Sequence, residues 1–540
     1  MKIKAKLILV FLVIAVVPAI VASGFIGKVA YDRGSSAIEA KVAANLQSQR
    51  EVKKAEIEDY IDQLKQLLMS QAKSPWAAEA ARDFSEAFAQ TAASSVEFDF
   101  SELDQFYREQ FGRVYSDSNG VSPDYESVFG GLSRAAKLLQ TTYIARNSHP
   151  LGSKDLLDVG GQGTPYDRVH RRYHGSFREL LNAFELYDIF IVEPSSGQVI
   201  YSTYKEIDFA TSLNSGPHSQ SGLAEAFRQA ISLSKGQNKL TDFAPYSPSY
   251  EAAAAFISTP IYEAETLVGV LIFQMPLDRI NRLMTYEGHW KESGMGNSGE
   301  TYLIGQDKLL RSASRFQLED SSRFIAALRL AGMDAQMIDV FSRGGSAVGK
   351  LPIETRAADL ALSGESGITT QQDYRGETVV SAYAPLEVAG VQWAILSEQD
   401  AAEAYAAVEA LASQVFWWAL GITLGCIVLA AVVGLVVAKN IADPIVNISD
   451  QVAEIAESRN LTSQVSLSGG AELEALGQAV NALVARLRTN FQDIQSTAMG
   501  VRGAAVELND SMAEVMNSIN DQNDRCHQQA SAATQMEQTV

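Results

Sequence analysis

At 540 residues the chain is too long for a single hydrophobic core and divides into roughly three or four units of domain size. Its 44 Lys and Arg against 64 Asp and Glu give a formal charge of -20, which excludes a nucleic-acid partner held by charge. Two cysteines, Cys426 inside an apolar run and Cys526 near the end, exclude a disulfide framework for the large middle region.

Residues 1–6 carry Lys2, Lys4 and Lys6, and Leu7 to Gly27 follows as LILVFLVIAVVPAIVASGFIG without a charge. About 20 such residues cross a ~30 Å hydrocarbon layer, and the run exceeds the h-region of a cleaved signal. Residues 7–27 are therefore expected to form an uncleaved transmembrane helix that tolerates Pro18. From Tyr31 to about Gln90, with Pro75 the sole proline, Ile57, Tyr60, Ile61, Leu64, Leu67 and Leu68 recur at three- and four-residue steps, which predicts a long amphipathic helix. Helical patterning continues through Leu132 to Ile144 and Tyr166 to Phe184.

The character changes at Tyr187. YDIFIV (187–192), the turn EPSSG and QVIYSTY (198–204) predict a hairpin. Helical spacing follows in Gly222 to Ser232, and then AAFISTPIY (254–262) and LVGVLIFQM (267–275) predict a second strand pair. The order repeats in smaller form: ETYLIGQ (300–306) with KLLRSAS (308–314) as a hairpin, a helical stretch from Arg323 to Phe341, then ETVVSAYAPL and VQWAILSEQ as strands. With SGETYLIG, YRGETVVSAYAPL and WAILSEQD as its strongest likenesses, this region resembles the double Cache sensor. The resemblance implies an α+β receptor fold with a helical part (28–183), a distal PAS-like antiparallel-sheet module (184–282) and a proximal one (296–400).

The same resemblance implies a small-molecule ligand held between the distal sheet and its helical covering. Arg168, Arg171, Arg172, Tyr173, Tyr187, Asp188, Tyr201, Tyr204, Lys205, Tyr246 and Tyr250 fall in the segments expected to wall that site. Arginine grips carboxylates with two hydrogen bonds, aromatic rings enclose small or cationic groups, and Asp holds an ammonium, a set that suits an amino-acid-like or organic-acid ligand. The Arg-x-Trp element of the amino-acid-binding subset is absent. Against these readings stand the ordinary roles of strand tyrosines as packing residues and helix arginines as a solvated face. His170 and His174, four apart with Asp167 nearby, have helical metal-binding spacing, but no Cys or Glu completes a motif; no metal and no cofactor are expected. No Gly-rich phosphate loop and no nucleophile elbow occur, so no catalysis is expected of these residues.

The second apolar run, Val415 to Ala438, opens on Phe416, Trp417 and Trp418 and closes before Lys439, which predicts a transmembrane helix over 416–438. Lysines before the first span and Glu398, Asp400, Glu403 and Glu409 before the second place both termini in the cytoplasm and residues 28–415 outside the inner membrane. Two amphipathic segments follow, NIADPIVNISDQVAEIAE and AELEALGQAVNALVARLR, joined by SRNLTSQVSLSGG. With Pro444 early, Leu461, Val465 and Leu467 in the connector and Glu472-Leu473 opening the second helix, residues 439–490 resemble a HAMP domain, which implies a parallel four-helix bundle in a homodimer.

Over 491–540 the hydrophobic period becomes seven, with Ile494, Val501, Leu508 and Val515 in one register and Ala498, Ala505, Met512 and Ile519 in the other, which predicts a cytoplasmic coiled coil. The rod and its tail QQASAATQMEQTV resemble the first methylation helix of a methyl-accepting chemotaxis protein, with Glu537 and Gln538, and secondarily Gln535, as the implied methylation residues. That resemblance implies a transducer whose partners are a second copy, larger receptor arrays, membrane lipid, a cytoplasmic kinase with its coupling protein, a methyltransferase and a methylesterase. Two alternatives are the sensory half of a membrane histidine kinase or nucleotide cyclase, and a membrane-anchored binding protein; the relay and heptads argue against the latter. The chain stops inside a heptad, so it is expected to be part of a longer protein.

Overall fold

The computed structural model describes residues 3–458 apart from position 96, and a few isolated positions beyond. The heptad rod and the methylation candidates Glu537, Gln538 and Gln535 lie outside the described residues. Two compact units are present, Asp32–Leu411 and Met1–Tyr31 with Ala412–Val540.

In the second of these, the first part of α1 (Ile3–Lys73) and most of α6 (Ala406–Val437) are apolar on all sides, as their sequences require. Both helices are long and apolar enough to cross a membrane. Val13, Val17, Phe25, Trp417, Leu424 and Val432 face outward, each more than half exposed, the surface a hydrocarbon solvent would cover. The helices run antiparallel, Gly27 against Val415 and Gly434 against Ile8 and Phe11, where small residues let backbones approach. The hydroxyls of Ser23 and Thr423 donate to the carbonyls of Ala19 and Ala419 at 2.6 and 2.8 Å, so neither polar group needs water. Beyond α6 a π-helical turn (Ala438–Ala442) leads into α7 (Asp443–Ser458), with Pro444 in its first turn, where a missing N–H costs little.

The larger unit is built on the remainder of α1. The helix expected to reach Gln90 breaks at Ser74, whose hydroxyl accepts from the Ala77 N–H while Pro75 opens α2 (Pro75–Ala93) at a position that needs no donor. Further short helices lead to α3 (Pro165–Ala183), started by a capping box between Thr164 and Asp167. A five-stranded antiparallel sheet follows, in the order β2-β1-β5-β4-β3, from β1 (Asp188–Val192), β2 (Val199–Ser202), β3 (Lys239–Tyr246), β4 (Ala252–Glu263) and β5 (Thr266–Gln274). The second sheet has four strands in the order β6-β9-β8-β7: β6 (Glu300–Gly305), β7 (Gly367–Gln372), β8 (Thr378–Val388) and β9 (Val391–Asp400).

Both faces of the first sheet are covered, which is why β1 and β5 read as continuous apolar runs. Ile189, Ile191, Ile257, Leu271 and Phe273 join Ile57, Ile61, Leu64 and Leu68 of α1 in one core, while Phe190, Val192, Val270 and Ile272 meet Leu223 and Phe227 of α4 (Gly222–Ala230) on the other face. In the second sheet Tyr302, Ile304 and Leu396 pack on Phe324, Phe341 and the alanines of α5 (Arg356–Leu362). Leu46 of α1 reaches its far side beside Val380, Ala382 and Trp290.

Three details depart from the sequence reading. KLLRSAS is not a strand: it makes only single bridges, Ile304 with Leu310 and Leu309 with Pro352. Arg311 instead turns inward, and its guanidinium holds Asp242 at 3.0 and 2.9 Å. The two strands the sequence reading lacked, β3 and β7, are both edges. Pro245 and a register break interrupt β3, and GITTQQ in β7 is polar, so neither carries the apolar alternation of a central strand.

Candidate ligand cavity

Between the distal sheet and its helical covering lies a cavity of about 220 Å³. Phe106, Phe111 and Val114 come from the helical covering, and Leu151, Gly152 and Lys154 from the loop before α3. Tyr187, Tyr204, Lys205, Glu206 and Ile207 come from the start of β1 and the segment after β2, and Pro248 and Tyr250 from the β3–β4 turn. Phe106 and Phe111 begin and end a π-helical turn, a local widening often found beside sites. Lys205 and Tyr250 have φ of 67° and 57°, left-handed backbone uncommon outside glycine that the surrounding hydrogen bonds must hold. Asn119 Nδ2 donates to the Tyr250 carbonyl at 3.1 Å and Tyr115 to Glu251 at 2.9 Å, which fixes the turn, while Tyr250 stacks on Phe111 with centroids 5.2 Å apart.

Glu206 presents a carboxylate to the cavity. It accepts from the Tyr187 hydroxyl at 2.8 Å and the Ser249 hydroxyl at 2.7 Å. Burial, then the nearby charges of Asp208 and Asp188, push its pKa well above the usual carboxylate range. Beneath it, Asp188 accepts from the backbone N–H groups of Ile189, Thr203 and Tyr204 and the Ser202 hydroxyl, at 2.6 to 2.9 Å. Those four bonds shape the turn that carries Tyr204, Lys205 and Glu206. Lys205 Nζ donates to the Ser202 carbonyl and lies 4.9 Å from the Tyr201 ring centre. Burial lowers the Lys205 pKa and raises that of Asp188, each disfavouring its charged form. Tyr246 donates to Asp208, whose other oxygen is buried without a partner, and burial pushes Asp208 up to about 7.

Of the residues singled out from sequence, Tyr187, Tyr204, Lys205 and Tyr250 line the cavity, and Asp188, Tyr201 and Tyr246 lie behind its wall. Arg168 and Arg171 are on the exposed face of α3, Arg172 pairs with Asp83 at 3.1 Å, and Tyr173 donates to the same carboxylate at 2.8 Å, all away from the cavity. Glu206 and the phenylalanines of the π turn, Phe106 and Phe111, carried no motif in the sequence.

The two histidines serve the same covering. His170 Nδ1 donates to the Asp158 carbonyl at 2.8 Å, and His174 Nε2 to that of Asp155 at 2.5 Å, so His174 Nδ1 accepts from the Tyr201 hydroxyl at 2.8 Å. Burial, then the charge of Lys205, holds His174 neutral with a pKa lowered to about 2. Among the described residues no group of three or more His, Cys, Asp or Glu could hold a metal.

The cavity lies over one sheet of a two-sheet unit, in a chain with two helices long and apolar enough to cross a membrane, the architecture of a membrane-bound receptor class. The chain belongs to the Cache domain family, whose model matches residues 34–408, and a HAMP domain model matches residues 436–489. It is 25% identical over 230 residues to the methyl-accepting chemotaxis protein NahY of Pseudomonas putida, a match covering 42% of each chain, so less than half of that relative's length is spanned. Among solved structures it is similar to the ligand-binding domain of the Pseudomonas fluorescens chemoreceptor CtaA in complex with L-isoleucine (12% identity, TM-score 0.28, 57% of this chain and 99% of that one). A second is that of the Pseudomonas aeruginosa amino acid chemoreceptor PctB in complex with L-Gln (15% identity, TM-score 0.27, 57% and 98%).

Proposed function

We propose that this chain is the sensing and membrane-crossing part of a transmembrane chemoreceptor, which binds a small extracytoplasmic ligand in the distal cavity and passes the event inward through its HAMP domain. The observation that carries this reading is the order of parts along one chain: a Cache sensor over 34–408, an apolar helix, then a HAMP match over 436–489. The positive residues at Lys2, Lys4, Lys6 and Lys439 support an orientation with both termini in the cytoplasm and the sensor outside the inner membrane. In this reading β9 runs through Asp400 into the stem of α6, so a change in the sensor is delivered as a displacement of that helix. A homodimeric HAMP bundle then repacks, the coiled coil beyond it alters a bound kinase, and methyl esterification of Glu537, and of Gln538 once its amide has been hydrolysed to a carboxylate with release of ammonia, tunes the response by removing charge. The chain itself performs no chemistry.

The test is genetic. A strain lacking the gene loses its swimming response to a ligand found by screening. The wild-type gene restores it, and one carrying Tyr204→Trp, which fills the cavity, does not. Unchanged swimming together with ligand-dependent autophosphorylation or cyclic nucleotide formation would overturn the chemoreceptor output in favour of an enzyme.

A further inference from the structure

The lining of the distal cavity narrows the chemistry of its occupant, an inference that rests on the cavity being the ligand site. Glu206 is the one acidic residue in the lining, and among the described residues no ion pair reaches it; the acids Asp208 and Asp188 lie near it. Two hydroxyls occupy part of its accepting capacity, at 2.8 and 2.7 Å, and a carboxylate has about four acceptor positions, so about two are left.

Both lysines at the border already donate to carbonyls within the protein. Lys154 Nζ donates to the Asn147 carbonyl at 2.7 Å. Lys205 Nζ is turned to the Ser202 carbonyl, among the rings of Tyr201, Phe209 and Tyr143, none of which lines the cavity. No arginine lines it. An organic acid would therefore meet no arginine and only lysines already turned to backbone carbonyls, beside a buried carboxyl group whose ionisation its own charge would oppose further. The walls instead suit a cation: Tyr187 and Tyr204 lie 4.9 Å apart, and Tyr250 and Phe111 stack at 5.2 Å, two pairs of π faces beside the carboxylate. The volume of about 220 Å³ exceeds the ~150 Å³ that holds benzene and falls below the ~300 Å³ where drug-sized sites begin.

We propose that the cavity binds a small organic cation, a primary or quaternary amine whose charge lies against Glu206 and whose apolar part lies among Tyr187, Tyr204, Tyr250 and Phe111. An ammonium donates to the oxygens left open on Glu206 and also gains from the rings; a quaternary group gains from the rings and the charge alone.

The whole chain in lipid nanodiscs is titrated calorimetrically with three matched sets: short alkylamines with choline, straight-chain carboxylates of equal length, and amino acids. At least one amine binds saturably, and Glu206→Gln weakens it by at least about tenfold, the loss of a charge-assisted contact. Should that variant melt earlier than wild type without ligand, Tyr250→Leu supplies the reading, since it removes a π face and no charge and still lowers amine affinity severalfold. Carboxylate binding abolished by Tyr204→Trp, with no amine bound, overturns the cation and keeps the cavity. Amine binding unchanged in Tyr204→Trp overturns the cavity itself, and binding by no amine overturns the proposal.

Discussion

Single carboxylates hold much of the sensor's local geometry. Asp188 collects three backbone N–H groups and one hydroxyl, three of the four bonds buried, and so shapes the turn that lines the cavity. Asp188→Ala would strand those donors, and about 3 kcal/mol of stability should be lost, visible as a lower denaturant midpoint; an unchanged midpoint would mean water replaces the carboxylate. In the proximal sheet Glu300 and Glu398 stand directly opposite across β6 and β9, both buried. Tyr374 donates to Glu300 at 2.5 Å and Tyr302 to Glu398 at 2.8 Å. Burial pushes both carboxyls from 4.5 up to about 7, opposed at Glu300 by the Arg375 guanidinium and reinforced at Glu398 by the charge of Asp373. The folded state therefore holds more protons than the unfolded one between those values. The stabilisation is full below the unfolded value and is lost as pH rises toward the folded one. Melting temperature measured from pH 4.5 to 7.5 should fall, and the fall should be shallower in Glu300→Gln; parallel curves would remove Glu300 from the account.

Elements meet at a few fixed points. Asp242 on β3 receives the Arg311 guanidinium through two bonds and the Trp393 indole at 2.8 Å, with Phe243 stacked on Trp393, so one carboxylate ties the distal edge strand to the proximal module. Arg311 is 3% exposed, and Asp242→Ala would leave it with Asp307 and one carbonyl. A loss of about 2 kcal/mol is expected, and cleavage by protease between the modules should quicken, because Arg311 loses two charge-assisted bonds and the Trp393 indole its acceptor. Helix α1 is pinned along the proximal module by Arg50 and Lys54, which donate to the carbonyls of Tyr383 and Pro385 at 2.7 and 2.9 Å. A long helix otherwise held by apolar contacts gains a fixed register from such bonds.

For the molecule as a whole, the proposed transmission has to pass through the junction between the sensor and α6. Glu403, just after β9, accepts from the backbone N–H groups of Asn297 and Ser298 at 2.8 Å each and from both side chains. Burial alone would raise its pKa, yet these donors overcome it and hold the carboxyl below its ordinary value. The short helical turn between β9 and α6 (Ala401–Ala404) is thereby latched to the loop before β6. Glu403→Gln keeps the shape and weakens the latch, so ligand affinity should stay as in wild type while ligand-dependent output falls several-fold. Equal output in wild type and variant would mean that β9 alone transmits the signal.

The sequence by itself determined the parts whose physics is one-dimensional. Two charge-free runs of spanning length, the three-and-four periodicity of Ile57 to Leu68 and the apolar runs of β1, β4, β5, β8 and β9 all follow from burial along a single element. Edge strands β3 and β7 escaped because a strand with one partner needs no apolar alternation, and KLLRSAS misled because the inward turn of Arg311 answers a carboxylate far along the chain. The cavity was only half legible. Tyr187, Tyr204, Lys205 and Tyr250 stood out by residue type, whereas Arg168 and Arg171 stood out equally and face solvent, since composition does not say which side of α3 is covered. Glu206 and the π turn of Phe106–Phe111 became visible only in three dimensions, because the acid's partners Tyr187 and Ser249 stand 19 and 43 positions away and a helix's extra residue is set by packing, and no local pattern encodes them.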